Sequence, residues 1–209
     1  MPSDATVLFD GSSLAAWEST NAKETAPLWK IAGGVLTPID KTGSLRTKTA
    51  YGDMQIHLEF RTQTNPAKSG QSRGNSGLLF MGLYEFQILD SHENPTYANG
   101  QAAAIYKQHP PLANASRAPG EWQTYDVIFI APRFAADGVL LSPARITAFH
   151  NGVLVQHDAI LTGPTTHRGR LAYTQHPAKL PLTLQNHAHD RPSFRNIWAR
   201  DLTLPHPAK

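Results

Sequence analysis

The chain has 209 residues, of which 40% are hydrophobic and 17% are charged, and its formal net charge is +3. This composition is typical of a folded protein with one sizeable core, and it excludes a disordered polyelectrolyte. Because cysteine is absent and the Lys and Arg residues are scattered, disulfides, thiolate metal sites and cysteine nucleophiles are excluded, and nucleic acid is not an expected partner.

The first residues, Met1 to Thr6, contain neither the basic nor the apolar segment of an export signal. No stretch of the chain approaches the roughly 18 apolar residues of a membrane-spanning helix, so membrane insertion is not expected. The sequence fits a cytoplasmic protein, or an exported protein whose signal was removed and replaced by an initiator methionine.

Polar and apolar residues alternate in many short segments, whereas convincing helical periodicity is absent. Such alternation predicts strands with one buried and one polar face. The clearest prediction is a hairpin over residues 144–158, because Asn151-Gly152 supplies the positive φ angles of a type I′ turn between two apolar runs. Further strands are predicted at residues 29–37, 53–61, 122–130, 182–187 and 194–204.

Residues 74–90 place a carboxylate and an amide inside a run that is otherwise typical of a buried strand. From Tyr84 onward, aromatic and aliphatic residues alternate with Glu85 and Gln87, so the acid and the amide share one face of the extended chain. A strand with an apolar inner face and this outer face favours the floor of a binding cleft in a β-sandwich.

Two long segments interrupt the strands. Residues 62–76 are polar and rich in glycine, and residues 90–120 are rich in proline. Loops of this length are usually functional or mobile, and both flank the strand that contains Glu85. Since no linker and no fixed-period repeat divides the chain, one all-β domain over residues 1–209 is expected, built as a two-sheet sandwich of the jelly-roll type.

Nine short motifs follow one another along the chain, each weak alone but specific as an ordered set. They are the Leu-Phe-Asp-Gly run at 8–11 with Trp17, then 33–36, 75–77, 84–90, Glu121-Trp122, Asn151-Gly152, 163–165, 181–185 and 194–197.

This series resembles the 3-keto-disaccharide hydrolase domain family, long known as domain of unknown function 1080, from about Val7 to Leu204. The resemblance implies a β-sandwich of the concanavalin-like lectin and glucanase type. It also implies action on glycosides oxidised to the 3-keto form, and export to the periplasm or the cell exterior. A carbohydrate or 3-keto glycoside is therefore the expected partner.

The chemistry of a 3-keto sugar sets what the site must contain. The ketone at C3 acidifies the hydrogen on C2, so that a base can remove it; the enolate then expels the aglycone from C1, and water adds to the glucal product. One base, one acid and donors or a cation for the enolate oxygen are needed. Glu85 is the candidate base, and His187 or Asp90 is the candidate acid. In the competing interpretation, Glu85 only binds sugar hydroxyls or a neighbouring Arg.

The candidate substrate-binding residues are amides, cations and one phenol. Gln87 is expected to bind because an amide both donates and accepts without exchanging protons, although cross-strand packing is an equal alternative. Gln185 and His187 share a face of their predicted strand, and they would face Glu85 if both strands belonged to one sheet. The remaining candidates are Arg73, Asn75, Tyr106, Lys107 and Arg195, of which Asn75 also suits a turn and Arg195 a charge partnership with Glu85 or a plain salt bridge.

Other residues are assigned structural roles. No zinc-binding spacing of histidines occurs, since His187 and His189 supply only two ligands, and no cofactor is predicted. A structural calcium bound by Asp40, Asp53 or Asp90 lacks the support of an acidic loop repeat. The tryptophans are expected to pack rather than stack on sugars, and the histidines expected at the surface are His57, His150 and His157.

Two other functions compete with a 3-keto glycosidase. A non-catalytic carbohydrate-binding module would use the same cleft without a titratable partner for Glu85. An ordinary glucanase would require two carboxylates that face each other at roughly 5 to 9.5 Å.

Overall fold

The computed structural model describes residues 1–64, 67–187 and 190–202. Helix in these residues is limited to two single 3₁₀ turns, Gly70–Ser72 and Ala98–Gly100, and none is long and apolar enough to cross a membrane. The strands are β1 Thr6–Phe9, β2 Trp17–Ser19, β3 Lys30–Ala32, β4 Val35–Thr37, β5 Leu45–Tyr51, β6 Met54–Arg61, β7 Ser76–Phe80, β8 Tyr84–Ile88, β9 Gln123–Ile130, β10 Arg133–Phe134, β11 Leu140–Ser142, β12 Arg145–His150, β13 Val153–Ile160, β14 Leu180–Leu184 and β15 Ser193–Asp201.

These strands form two large antiparallel sheets and one small pair. The eight-stranded sheet has the order β13-β12-β9-β6-β15-β4-β3, with β1 also paired to β15. The five-stranded sheet has the order β2-β5-β14-β7-β8, and β10 pairs with β11. The predicted all-β sandwich is confirmed.

The core lies between the inner faces of the two large sheets. Phe80 of the five-stranded sheet stacks on Phe129 of the eight-stranded sheet with ring centroids 4.7 Å apart. Phe86 meets Tyr125 edge to face at 4.9 Å. Because all four aromatic side chains are buried, every second residue of β7 and β8 is committed to the core. The residues between them, including Glu85, must face away from it.

The predicted hairpin turn at Asn151-Gly152 forms, and Gly33-Gly34 makes a second turn inside a segment that was predicted as one strand. Asn151 and Gly152 have φ angles of 52° and 78° and join β12 to β13, as the hairpin prediction requires. Gly33 and Gly34 also have positive φ, and they divide the strand predicted at 29–37 into β3 and β4.

The segment 74–90 is a hairpin rather than one strand. Its strands β7 and β8 meet at a turn in which Met81 and Gly82 have positive φ. The strand predicted at 182–187 runs instead from Leu180 to Leu184, so its last three residues continue beyond it. The predicted end of the final strand, Leu204, lies outside the described residues, as do residues 65–66 of the first long loop.

The long loop after β8 covers the free edge of that strand. Ala103 N donates to Gln87 O, Gln87 N to Ala104 O and Tyr106 N to Glu85 O, at 2.9–3.0 Å. The loop therefore completes the backbone hydrogen bonding of an otherwise open sheet edge. It also fixes Tyr106 beside Glu85.

Candidate functional site

A cleft of about 400 Å³ opens on the outer face of the five-stranded sheet. Its floor is formed by β8, β7 and the chain that follows β14. Its walls come from the loop after β8, which contributes Tyr106, and from the neighbouring 161–171 loop. The residues that line it are Asn75, Leu79, Gly82, Leu83, Glu85, Gln87, Tyr106, Pro164, Thr165, Thr166, His167, Leu171, Gln185 and His187.

Strand register brings the predicted acid and amides to this floor. Leu79 of β7 pairs with Glu85, and on its other side with Thr183 of β14. Gln185, two residues after Thr183, continues the alternation, and its N–H donates to Gly77 O at 2.9 Å. Since paired residues in a sheet point to the same face, Gln185 and Glu85 both face the cleft.

Glu85 is the one acidic side chain that lines the cleft among the described residues. It is only 8% exposed, and its carboxylate has no hydrogen-bond partner within the described part of the chain. Burial raises its pKa from the ordinary value of 4.5 to about 7, although the charge of nearby His187 acts in the opposite direction. A carboxyl group with this pKa exchanges protons near neutral pH, as a general base must.

His187 lies at the rim of the cleft and is held by an aspartate that the sequence did not single out. Its Nδ1 lies 3.3 Å from Asp190 Oδ2. Asp190 is buried, and its other oxygen accepts from Gly74 N and Lys68 Nζ, both at 3.1 Å. These contacts orient the imidazole and leave Nε2 without a partner among the described residues.

The cleft also contains two buried amide oxygens without partners. Gln87 Nε2 donates to Gln71 Oε1 at 3.2 Å and to Asn75 Oδ1 at 3.3 Å, whereas Gln87 Oε1 is buried and unpaired among the described residues. Gln185 Oε1 is in the same situation. Because an unpaired buried acceptor costs free energy, both oxygens are suited to accept hydrogen bonds from ligand hydroxyls. Asn75 holds Gln87 in place.

Tyr106 brings a phenol to the same cleft. Its hydroxyl lies 2.7 Å from the hydroxyl of Tyr97 and 3.4 Å from His167 Nδ1. Burial, with Tyr106 and Glu85 nearby, raises the pKa of Tyr97 above its ordinary value. Lys107 Nζ lies over the Tyr97 ring, 3.4 Å from its centroid, and not in the cleft itself.

The structure does not bring Asp90 to Glu85, which corrects the assignment of Asp90 as an acid partner. Asp90 is 1% exposed and accepts two hydrogen bonds from Arg73, from Nε at 2.9 Å and from Nη2 at 2.5 Å. Strict alternation from Glu85 turns residue 90 to the other face. Neither Asp90 nor Arg73 lines the cleft, so the predicted substrate contact of Arg73 is replaced by this buried ion pair.

Arg195 is also corrected, because it belongs to the eight-stranded sheet. Its Nε donates to Glu59 Oε2 at 2.6 Å and its guanidinium stacks 4.1 Å from the ring centroid of Trp122. It is thus a salt-bridge residue on the other side of the sandwich. None of the four tryptophans lines the cleft, in agreement with their expected packing role.

The expectation that His150 lies at the surface is wrong. The ring is 1% exposed, and its Nε2 lies 2.8 Å from Gln123 Oε1. Burial, with a smaller contribution from Arg117, lowers the pKa of His150 to about 4, so that it is neutral at physiological pH.

No group of three or more His, Asp or Glu side chains that could hold a metal occurs in the described residues. The three aspartates considered for calcium each face an arginine instead. These pairs are Asp40 with Arg191, Asp53 with Arg133, and Asp90 with Arg73. His189 lies outside the described residues.

The sequence and the fold of the chain are similar to those of a known protein family and of several solved structures. The family described as the 3-keto-alpha-glucoside-1,2-lyase-like domain matches residues 4–200. A crystal structure of a putative glycosyl hydrolase from Parabacteroides distasonis ATCC 8503 is 46% identical, with a TM-score of 0.90 over 96% of this chain and 85% of that one. No curated protein matches.

Two further putative glycosyl hydrolases of the same organism share the fold. They are 17% and 22% identical to this chain, with TM-scores of 0.65 and 0.64. Each alignment covers 95% of this chain, and 94% and 99% of the respective relatives. The match of the family model over residues 4–200 confirms the family to which the sequence motifs pointed.

Proposed function

Because this chain belongs to the 3-keto-alpha-glucoside-1,2-lyase-like domain family, we propose that it cleaves 3-keto glycosides by abstraction of the C2 proton and elimination of the aglycone, or hydrates the resulting 2-hydroxy-glucal. The family and the glycosyl hydrolase relative at 46% identity support a carbohydrate-active protein. The observation that carries the finer proposal is a buried Glu85 carboxylate, with a pKa of about 7, on the cleft floor next to His187.

In the proposed reaction, Glu85 takes the proton from C2 and the electron pair of that bond forms the enolate with O3. When the C3 carbonyl reforms, a double bond forms between C1 and C2. The C1–O bond then breaks, and its electrons leave with the aglycone oxygen. His187, oriented by Asp190, gives that oxygen its proton. General acid and base groups of this kind each contribute roughly 10²- to 10⁴-fold to a rate.

The other polar groups of the cleft hold the sugar. Gln87 Oε1 and Gln185 Oε1 accept hydrogen bonds from ring hydroxyls, which removes their unpaired state. The Tyr106 hydroxyl is the neutral donor available for the oxygen at C3, where negative charge develops. On this arrangement C1 lies towards His187 and C3 towards Tyr106.

The two rival functions explain the cleft less well. A glucanase needs a second carboxylate opposite the first, and Glu85 is the one acid among the described residues of the lining. A binding module gains nothing from a desolvated carboxylate without a hydrogen-bond partner, because such a group weakens the fold unless a ligand engages it.

The test is to incubate the protein with 4-nitrophenyl 3-keto-glucoside and with its unoxidised parent, and to follow nitrophenol release. We expect release from the keto substrate alone, with a primary isotope effect when C2 carries deuterium. Equal cleavage of both substrates would contradict keto-specific elimination. Cleavage of neither, together with no hydration of added 3-keto-2-hydroxy-glucal, would favour the binding module. Glu85→Gln should reduce turnover at least about 100-fold, whereas the exposed matched control Glu121→Gln should not.

A further inference from the structure

A second phenol, Tyr97, lies behind the phenol of Tyr106 in the wall of the cleft. Tyr106 lines the cleft, and its hydroxyl lies 2.7 Å from the hydroxyl of Tyr97. Tyr97 is not one of the lining residues, and its hydroxyl has no other hydrogen-bond partner in the described part of the chain. The Tyr97 hydroxyl therefore acts on the contents of the cleft only through Tyr106.

The position of the Tyr97 ring is restricted by a glycine and a cation. A Cβ atom on residue 100 would lie 2.0 Å from Tyr97 Cε2, so the ring occupies space that only the bare backbone of Gly100 leaves free. Gly100 N also donates to Tyr97 O at 3.0 Å. Lys107 Nζ lies 3.4 Å from the ring centroid, which is the geometry of a cation–π contact. These contacts hold the hydroxyl in place beside Tyr106.

Tyr106 and Lys107 are held by their backbone. Tyr106 N donates to Glu85 O at 3.0 Å, and Lys107 N donates to Asn99 O at 2.8 Å. Lys107 has a φ of 63°, which is costly for a residue with a side chain and persists only where the surroundings enforce it. The turn thus places one phenol in the cleft and, from the next residue, an ammonium on the ring of Tyr97.

The two phenols can direct one hydrogen into the cleft. Burial raises the pKa of Tyr97 above its ordinary value, and its hydrogen bond to Tyr106 acts in the same direction, so Tyr97 keeps its proton. A hydroxyl has one hydrogen and two acceptor lone pairs, so Tyr106 can accept from Tyr97 and still donate its own hydrogen. His167 Nδ1 lies 3.4 Å from the Tyr106 hydroxyl, which is too long for a strong hydrogen bond that would hold this hydrogen.

We propose that Tyr97 is a positioning residue for the C3 oxygen of the substrate: its hydroxyl donates to that of Tyr106, which donates to the oxygen at C3. This inference rests on the proposed function, in which that oxygen gains negative charge as Glu85 removes the C2 proton. The charge drawn onto the Tyr106 oxygen is then stabilised by the Tyr97 donor, and the ammonium on the Tyr97 ring strengthens that donor. A neutral hydroxyl at C3 gains little from this arrangement, so Tyr97 acts on turnover more than on binding.

The first test is the kinetics of Tyr97→Phe with the substrate that wild type turns over, either 4-nitrophenyl 3-keto-glucoside or 3-keto-2-hydroxy-glucal. The substitution keeps the ring and removes only the donor, so we expect kcat to fall about tenfold and KM to change less than about twofold. Tyr106→Phe should lower kcat about 100-fold. The double variant should be no slower than Tyr106→Phe, because Tyr97 acts through Tyr106.

The matched control is Tyr51→Phe, at a buried tyrosine that does not line the cleft, and it should keep the wild-type kcat. A wild-type kcat in Tyr97→Phe would overturn the inference. Fully multiplicative losses in the double variant would do the same, because Tyr97 would then act independently of Tyr106.

Equilibrium binding separates this inference from the proposed function. One probe is neutral kojic acid, a planar pyranone whose enol and carbonyl correspond to C2 and C3 of the 2-hydroxy-glucal, and the other is 4-nitrophenyl glucoside, which has a hydroxyl at C3. We expect Tyr97→Phe to weaken kojic acid about fivefold and the glucoside less than about twofold. This difference, without turnover of any keto substrate by wild type, would support the role of Tyr97 and overturn the proposed function. Turnover by wild type with kojic acid bound equally by both proteins, or not bound at all, would overturn the inference alone.

Discussion

The Glu85 carboxylate lies against the backbone of Gly77 on the neighbouring strand. A Cβ atom on residue 77 would lie 2.7 Å from Glu85 Oε1, which is too short for a van der Waals contact. The glycine therefore makes the space in which the carboxylate lies on the cleft floor. Unlike most glycines of the chain, Gly77 is not explained by a positive φ angle.

We expect Gly77→Ala to displace the Glu85 carboxylate and to lower kcat for a 3-keto glycoside at least about tenfold, because small misplacements of a reacting group are costly. The matched control is Gly52→Ala, whose Cβ would meet Ala178 O at 2.8 Å near the other end of β14. Both variants should lose stability, but only the first should lose activity in the folded state. Wild-type kcat in Gly77→Ala would show that this close approach does not position the base.

The activity should depend on pH through Glu85. A general base must be deprotonated, and burial sets the pKa of Glu85 at about 7. We therefore expect kcat/KM to rise with pH through about 7 in the free enzyme. A rise centred near 4.5 instead, as for a solvated glutamate, would show that the acting base is not this buried group.

The same pKa predicts how Glu85 affects stability. Its folded pKa is raised, so between about pH 4.5 and 7 the folded state binds more protons than the unfolded state, and stability falls as pH rises. The loss is at most about 3 kcal/mol. Glu85→Gln removes this dependence. The unfolding free energy of the variant minus that of wild type, measured in urea, should therefore be larger at pH 8 than at pH 5. An equal difference in unfolding free energy at both pH values would show that the pKa of Glu85 is not raised in the folded state.

Substitutions of His187 and Asp190 should both lower activity but should differ in their effect on stability. Because His187 protonates the leaving oxygen, His187→Ala should lower kcat about 100-fold for a 3-keto-disaccharide, whose alkoxide leaves poorly. The His187 side chain is 44% exposed, so the unfolding free energy should change by less than about 0.5 kcal/mol. Asp190→Asn, at a buried site with three donors, should lower both activity and stability. The double variant should be little less active than His187→Ala, because both act through one imidazole. Fully multiplicative losses would mean that Asp190 acts elsewhere.

Local pattern was sufficient to predict some of the site and not the rest. The outward face of Glu85 and Gln87 follows from period-two alternation, and it needs no knowledge of the partner strands. The position of Arg195 could not be predicted without knowing the partner strands, because the chain crosses from the five-stranded to the eight-stranded sheet just before this residue. Asp190 follows the end of β14, where no periodicity constrains the side chain. His150, by contrast, shares its parity with buried Ile146, so alternation could have predicted its burial.

The Arg73–Asp90 pair allows a test of whether Asp90 takes part in catalysis, as its position in the motif at residues 84–90 suggested. Asp90 lies in the same motif as Glu85, but its carboxylate accepts from Arg73 and from His92 N, so Asp90→Asn should cost about 3 kcal/mol of stability by breaking this mostly buried ion pair. Below its unfolding transition the variant should keep a kcat within about threefold of wild type, since neither residue lines the cleft. The matched control is Asp158→Asn, which breaks an exposed pair with Arg145 and should barely move the urea midpoint. A folded Asp90→Asn protein with a 100-fold lower kcat would return Asp90 to the catalytic apparatus.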